Sequence, residues 1–586
     1  MMTHFKYIYK SIALAACAAL MVACEDKLDE VPDNRTEIDS PGKVAKLLTS
    51  AYPDHTPAVI CELSGDNYVD NNIVVPATHN DPYNEFHEEA YKWVDINNYQ
   101  MGQQDTPYSV WESYYQGIAT VNHAVEAMVK MFPGIEKMSA DEILVNYPEI
   151  SASWGEAHVL RAYLHFVLVN VFAESYKNDE LSRAEKGIPY VRDVEDVVHV
   201  DYSTSEFTRN ITEFYQLIEE DMLKGLPLIN DSNYPVPAYH FNKNAANAFA
   251  ARFYLFKRDY EKCVKYANVA LGANPSSMLR NWNNINPNTI DSRLLSFNDE
   301  TAACNFLIQS TYSLQDRMLS AARYAINDGT TFTNNGKTYT IPSTLSLLYS
   351  GGGPNWSGYL PAFDGHIFIW GAGQQFGVWL FRVYEYFEFT DKIAGIGYVH
   401  MLYQPLTAEE TLLCRAEANL YLGNRDAAIQ DLGYWTNSKL VTNALTLQGI
   451  TRKYDRTKPN NIFCDDMHPA EMGFSKILTG DDQAVLDCIL HFRRIETHYE
   501  GLRWFDIKRY GTTIYHHYRG ANEDEIHSDS LVWNDPRRVL QLPRNVIDAG
   551  YPGSRPTGGA WGGSSAGYQV NVSSGEKPSA FPYVNQ

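Results

Sequence analysis

The chain has 586 residues, 45% hydrophobic and 20% charged, with 48 basic and 71 acidic side chains and a formal charge of -23 at neutral pH. It can bury a large core, and length alone allows two to four domains. The acidic balance argues against nucleic acid as a partner and against attachment to anionic lipid head groups by charge.

Lys6 and Lys10 precede an apolar run from Ser11 to Ala23, which ends in Met21-Val22-Ala23-Cys24 and an acidic tract, Glu25 to Glu30. The run suits the apolar part of a signal and is too short to span a bilayer as a helix. Residues 1–23 are therefore read as a lipoprotein signal peptide that is removed, and Cys24 as the lipidation site. Leu14-Ala15-Ala16-Cys17 has a similar form but leaves almost no apolar run behind Lys10. Acyl chains, at about 0.8 kcal/mol per buried methylene, would tether a body that faces water, so the membrane is met through the lipid anchor only. The remaining mature cysteines are widely spaced and include no C-x-x-C, which argues against a zinc or redox site. Cys263 and Cys414 fall on apolar helix faces and read as core.

Further along, helical periodicity recurs. It is present in 111–131 and in 154–173, where Ala157, Leu160, Leu164, Val167, Leu168 and Val171 line one face. It returns in 207–226. Residues 247–255 and 260–271, parted by Lys257-Arg258-Asp259 and stopped by Gly272 and Pro275, form a helical hairpin. Residues 407–422 and 425–435, parted by Gly423-Asn424, repeat that design. Ala250-Ala251 with Tyr254 and Tyr260, and Ala416-Glu417-Ala418 with Tyr421, have the small and large positions of tetratricopeptide helices. The predicted fold is mainly α, about four hairpins with minor β. Residues 349–389 break the pattern with 13 aromatics and 8 glycines in 41 residues, a loop-rich aromatic region, and 552–567 reads as a Gly/Ser/Pro surface tail. No linker cuts the chain into independent domains.

A helix is predicted over 493–509, with Phe492, Ile495, Tyr499 and Leu502 on one face. Its arginines would keep Glu496, Glu500 and Asp506 ionised, which suits a scaffold and not a general acid. Gly563-Ser564-Ser565-Ala566-Gly567 fits a hydrolase G-x-S-x-G but lacks the strand and helix that such a serine needs. Gly351-Gly352-Gly353-Pro354 lacks the Gly-Lys-Ser/Thr of a phosphate loop, and H-E-x-x-H is absent. No catalytic residue and no cofactor is expected. Asp66, Asp70 and Asn72 have oxygen ligands suited to a structural calcium ion, although a solvated turn is the plainer reading.

Sugar rings have apolar faces edged by hydroxyls, so a glycan site wants aromatic platforms flanked by polar groups. Trp356, Tyr359 and Trp370 have Asn355, Asp364, Gln374 and Gln375 nearby; Trp282 has Asn281, Asn283 and Asn284; Trp93 has Asp95, Asn97 and Asn98. These five aromatics are the ligand-binding candidates. Trp356, Tyr359 and Trp282 lead because glycine, proline and asparagine around them suggest exposed loops. Burial as core is the competing reading for each, given how often large aromatics are buried.

Four motifs carry a family resemblance: Trp111-x-x-Tyr114 with Ile118 and Asn122; Ala157-x-x-Leu160-Arg161-Ala162-Tyr163 through Phe166; Glu410-x-x-Leu413 with Ala416-Glu417-Ala418; and Arg493-Arg494-Ile495-Glu496 through Glu500-Gly501-Leu502-Arg503-Trp504-Phe505-Asp506. Behind a lipobox, in this order, the chain resembles the SusD/RagB family of outer-membrane lipoproteins of Bacteroidota. It departs at Thr407, where an arginine is usual, and in its C-terminal ending. The resemblance implies an α-α superhelix of tetratricopeptide-like hairpins supporting a loop-rich face. The body would span 24–586, with 24–230 an N-terminal SusD-like part and 280–586 a C-terminal SusD/RagB part of one fold. It also implies a non-enzymatic protein on the cell exterior that captures oligosaccharides for a SusC-like TonB-dependent transporter. Peptide cargo in the same fold, and a surface glycan hydrolase, are the alternatives.

Overall fold

A computed structural model describes residues 38–73, 85–194, 204, 209–285, 289–319, 323–334, 336–363, 367–370, 377–380, 385–519 and 526–555. The signal peptide, Cys24 and the G-x-S-x-G of the tail lie outside the described residues.

The main helices are α1 (Pro41–Thr49), α2 (Ala58–Ser64), α3 (Pro107–Met131), α4 (Pro148–Phe172), α5 (Ile211–Gly225), α6 (Lys243–Lys257), α7 (Tyr260–Leu271), α8 (Ala408–Tyr421), α9 (Arg425–Ser438), α10 (Gly480–Glu496) and α11 (Leu502–Tyr510). Local chemistry starts them: Thr106, Asn210, Asn242, Asp259 and Thr407 each accept a hydrogen bond from an amide in the first turn they cap. Thr407, the departure from the family pattern, thus serves as the cap of α8. Helices pack as neighbours in sequence, α3 on α4, α4 on α5, α6 on α7 and α8 on α9, with α7 and α10 both against α8. The mainly α architecture of helical hairpins is as predicted.

Strands are short: β1 (Val69–Asp70), β2 (Asn305–Thr311), β3 (Tyr324–Ala325), β4 (Thr330–Asn334), β5 (Lys337–Ile341), β6 (Ile367–Trp370), β7 (Gly377–Leu380), β8 (Tyr386–Asp391), β9 (Ile396–Thr407), β10 (Ile514–Tyr518) and β11 (His527–Leu531). They form antiparallel pairs β1/β3, β4/β5, β6/β7 and β10/β11, plus one three-stranded sheet in the order β2-β9-β8. Among the described residues no helix is long and apolar enough to cross a membrane.

Two sequence expectations change. The pattern in 154–173 predicts one buried face, but every residue of α4 from Ile150 to Phe172 is buried. Neighbours surround this helix, so its polar groups need partners inside. Arg161 donates to Asp221 at 2.8 and 3.0 Å and to Asn122 at 2.9 Å, and the Tyr52 hydroxyl donates to Glu156 at 2.7 Å. The predicted 493–509 helix is two helices instead. Tyr499 (φ 75°) and Gly501 (φ 76°) are left-handed between them. Glu62 of α2 accepts from the amides of both, at 3.0 and 3.1 Å, satisfying donors that a continuous helix would have bonded internally. The cysteines Cys61, Cys263, Cys304, Cys414 and Cys488 are buried thiols, as packing predicts.

Helices α4 and α5 touch through glycine: a Cβ on Gly225 would lie 2.4 Å from the Gly155 carbonyl oxygen. Gly225→Ala is expected to destabilise the protein by about 1–3 kcal/mol, read as a lower urea midpoint with unchanged slope. An unchanged midpoint would mean that the helices part freely.

Candidate functional site

The structure separates the predicted aromatics. Trp93 is buried, with φ 54°, its indole N–H donating to the Ser64 carbonyl at 2.8 Å and its ring stacked on His516 at 4.1 Å. Trp282 is buried against Phe363 and Phe297, with the Lys439 ammonium 5.3 Å from its ring. Covered on their faces, these two are core: the exposed loop expected at Trp282 is corrected, and Trp93 follows the competing reading of burial. Trp356 is half-buried, leaning on Phe492 at 5.6 Å and Trp435 at 6.4 Å. Its loop is tight: Gly353 N donates to the Trp356 carbonyl and Gly352 N to that of Gly358, both at 3.0 Å. Tyr359, 40% exposed, is the most open of the candidates whose side chains are described. Trp370 lies on β6, and its side chain is outside the described residues. Asp66 and Asp70 face arginines, at 2.8 Å from Arg503 and 3.4 Å from Arg323.

A concave site lies elsewhere. A cavity of about 400 Å³ opens between β10, the 456–466 loop, the segment after β5 and the start of β1. Its floor is a crossed ion-pair lattice. The Arg503 guanidinium grips Asp66 at 2.8 Å through two nitrogens and Asp465 at 2.7 and 2.8 Å, while Arg494 donates to Asn67 and to the Asp66 carbonyl at 2.7 Å. Burial opposes ionisation of Asp66, but Arg494 and Arg503 outweigh it and hold its carboxyl well below the usual range. A carboxylate so held accepts hydrogen bonds and does not supply protons.

The rim is polar and aromatic. Arg456 is braced by Asp487 at 2.6 and 2.8 Å, and Lys458 by the Arg452 carbonyl at 2.9 Å. Asn460, Asn461 and Asp466 line the same opening. Tyr515 of β10 is half-buried there, its hydroxyl pushed up by burial and by nearby Asp466. His517, lowered to about 4 by burial, is neutral near pH 7. Burial pushes the Cys464 thiol up to about 12, so it lacks the thiolate a nucleophile needs. The arrangement offers fixed donors and acceptors around a tyrosine, a means of holding hydroxyl-rich molecules. Sequence reasoning missed it because its residues come from four distant segments and none is a tryptophan.

Comparison with known proteins bears on this geometry. Residues 26–255 match the SusD-like_3 family model, described as starch-binding associating with outer membrane. No curated protein matches the chain in sequence. Among solved structures, the chain is similar to a SusD superfamily protein from Bacteroides vulgatus, at 18% identity over 88% of this chain and 100% of that one, with a TM-score of 0.53. A SusD-like carbohydrate binding protein from the same organism aligns at 13% identity over 87% and 97%, TM-score 0.51. A SusD superfamily protein from Bacteroides thetaiotaomicron aligns at 16% identity over 87% and 98%, TM-score 0.50. These likenesses establish the shared fold.

Proposed function

We propose that the chain, whose residues 26–255 match the SusD-like_3 family model, is a glycan-binding lipoprotein of the SusD/RagB family, held through Cys24 in the outer membrane and facing the cell exterior. It captures oligosaccharides and passes them to a SusC-like TonB-dependent transporter. The observation that carries this reading is the cavity, where Tyr515 stands among Asn460, Asn461, Asp466, Arg456 and Lys458. Such a site fits sugar hydroxyls around an aromatic wall. The description of the matched family, starch-binding associating with outer membrane, supports both the cargo and the location. Tyr359 adds an exposed aromatic edge on the 349–363 segment.

The reading is one of binding without bond chemistry. Arg494 and Arg503 hold the Asp66 carboxyl well below the usual range, so Asp66 is no proton donor of the kind that glycoside hydrolysis needs, and Arg503 also pairs with Asp465. Incubation with the bound glycan is expected to release no reducing ends; release would favour a hydrolase.

Calorimetric titration of the mature chain without its lipid against starch-type, mucin-type and peptide panels tests the cargo. Tyr515→Ala with Asp466→Ala is expected to weaken glycan binding about tenfold or more, with an unchanged melting temperature, since both side chains sit at the rim. Heat from peptides alone would move the cargo to peptides, and unaltered glycan affinity in the variant would remove the cavity assignment.

A further inference from the structure

The β2-β9-β8 sheet carries a second arrangement of rings and charge, away from the cavity. Cross-strand pairing sets Tyr386 opposite His400 and Glu388 opposite Tyr398, so these four side chains share one face of the β8/β9 hairpin. Tyr386 stacks on His400 at 5.3 Å with 15° between planes, Tyr398 lies 6.1 Å from His400, and Tyr312 at the end of β2 meets Tyr398 at 5.0 Å, edge to face. His55 extends the row, 5.9 Å from Tyr312, and bonds Asp54 at 2.8 Å. The rings are half-buried, whereas the carboxylate side chains are open, 56% exposed at Glu388 and 52% at Asp54. Phe387 and Phe389 project to the opposite face of the hairpin.

The charge on this face has one sign. Glu388 Oε2 lies 3.8 Å from His400 Nδ1, and neither Glu388 nor Asp54 pairs with lysine or arginine among the described residues. Burial lowers His400, so it is neutral near pH 7 and leaves Glu388 uncompensated. His55 and Ser113 hydrogen bonds lower Asp54, which keeps its charge in mild acid. The Tyr398 hydroxyl, raised to about 12 first by its hydrogen bond to Glu388, remains a donor.

Resting on the glycan reading above, we propose that this face is a separate binding site for glycans with free amino groups, the sugar rings lying on Tyr312, Tyr398 and Tyr386 and an ammonium meeting Glu388 and Asp54. Ring faces attract an ammonium and also cover apolar sugar faces, and open carboxylates complete the complement for a cation. A uronate or sulfated chain meets repulsion at the same place. The rings run across three strands, so they match a polymer of rings better than a single extended cationic side chain.

The probes are a chitosan hexasaccharide, its fully N-acetylated counterpart and an oligolysine, titrated calorimetrically into the lipid-free mature chain near neutral pH. The amino form is expected to bind about tenfold tighter than the acetylated one, and more weakly as salt rises. Asp54→Asn with Glu388→Gln keeps the shape and is expected to bring the two forms within about twofold, leaving melting temperature and binding at the cavity unchanged. No preference in the wild type overturns the proposal, as does a preference that survives in the variant, which would reflect net charge alone. Oligolysine binding as tightly as the sugar, and lost in the same variant, also overturns it by showing a site for cations and not for glycans. If neutral glycans still bind through Tyr515 in any of these cases, the general reading stands; if no glycan binds, both fall.

Discussion

Arg493→Ala is expected to destabilise the protein by about 3–5 kcal/mol, the range for removing one member of a buried charge network. Arg493 is fully buried in α10 and joins two segments distant in sequence: it donates to Glu410 of α8 at 3.1 Å and to Asp506 of α11 at 3.0 Å. The network continues on both sides, since Arg252 of α6 reaches Glu410 at 3.2 Å, and Arg509 reaches Asp506 at 2.8 Å and Glu417 at 2.7 Å. Deleting the central guanidinium leaves Glu410 and Asp506 with one cation each in a site closed to water. The change to alanine also opens space in a packed interior, so the two costs add. Arg493→Lys should recover part of the loss, because lysine retains the charge without the planar fork. Urea unfolding at neutral pH measures both; a loss below about 1 kcal/mol for Arg493→Ala would show that the neighbouring arginines carry the network without it.

This network explains what the four motifs do in this chain. Asn122 of the first motif accepts from Arg161 of the second, and Glu410 of the third accepts from Arg493 of the fourth. Each motif supplies half of a buried contact between helices, so the scaffold reading of its charged residues holds. Helix spans and hairpins were legible because period, caps and stop residues lie within one segment. The surroundings of α4 were not, since burial on all sides depends on helices far away in sequence. The break at Tyr499 to Gly501 was hidden for a similar reason: Glu62, 437 positions from Tyr499, bonds the freed amide. The aromatics misled most. Asparagine flanks Trp282 and lies four residues after Trp93, yet Trp93 turns inward on a left-handed backbone and Trp282 packs against two phenylalanines. The rows that do meet solvent, Tyr312 with Tyr398 and Tyr386, look like ordinary strand residues until strand pairing brings them together.

Acid should unfold this protein well before its ion pairs are protonated, with a transition starting near pH 5 and steepening below it. Burial holds His87, His165 and His491 down to about 3 and His158 and His517 to about 4. His165 shows why the neutral ring is built in: one ring nitrogen faces the Arg161 carbonyl at 2.9 Å and the other accepts from the Val191 amide at 3.1 Å. A second ring proton would face that amide N–H. With folded values below the ordinary 6.5, the unfolded chain binds more protons as pH falls, so stability present above that value is lost on acidification. Each histidine contributes up to about 1.4 kcal/mol per pH unit. Three carboxyls oppose this, since burial raises Glu62 to about 7 and Asp105 and Asp487 to about 6. Those acids are protonated in the fold and favour it as pH falls, but only down to the unfolded carboxylate values near 4. Above that point five histidines outweigh three acids; below it His158 and His517 are protonated in the fold as well, and His87, His165 and His491 act at roughly 4 kcal/mol per pH unit, against a total stability on the order of 5–15 kcal/mol. His165→Gln supplies a neutral donor and acceptor without the titration, so it should flatten the curve by one proton and move the midpoint to lower pH. Far-UV circular dichroism against pH, with tryptophan fluorescence alongside, reads both. A wild type that stays folded below about pH 3 would show that these rings protonate in place.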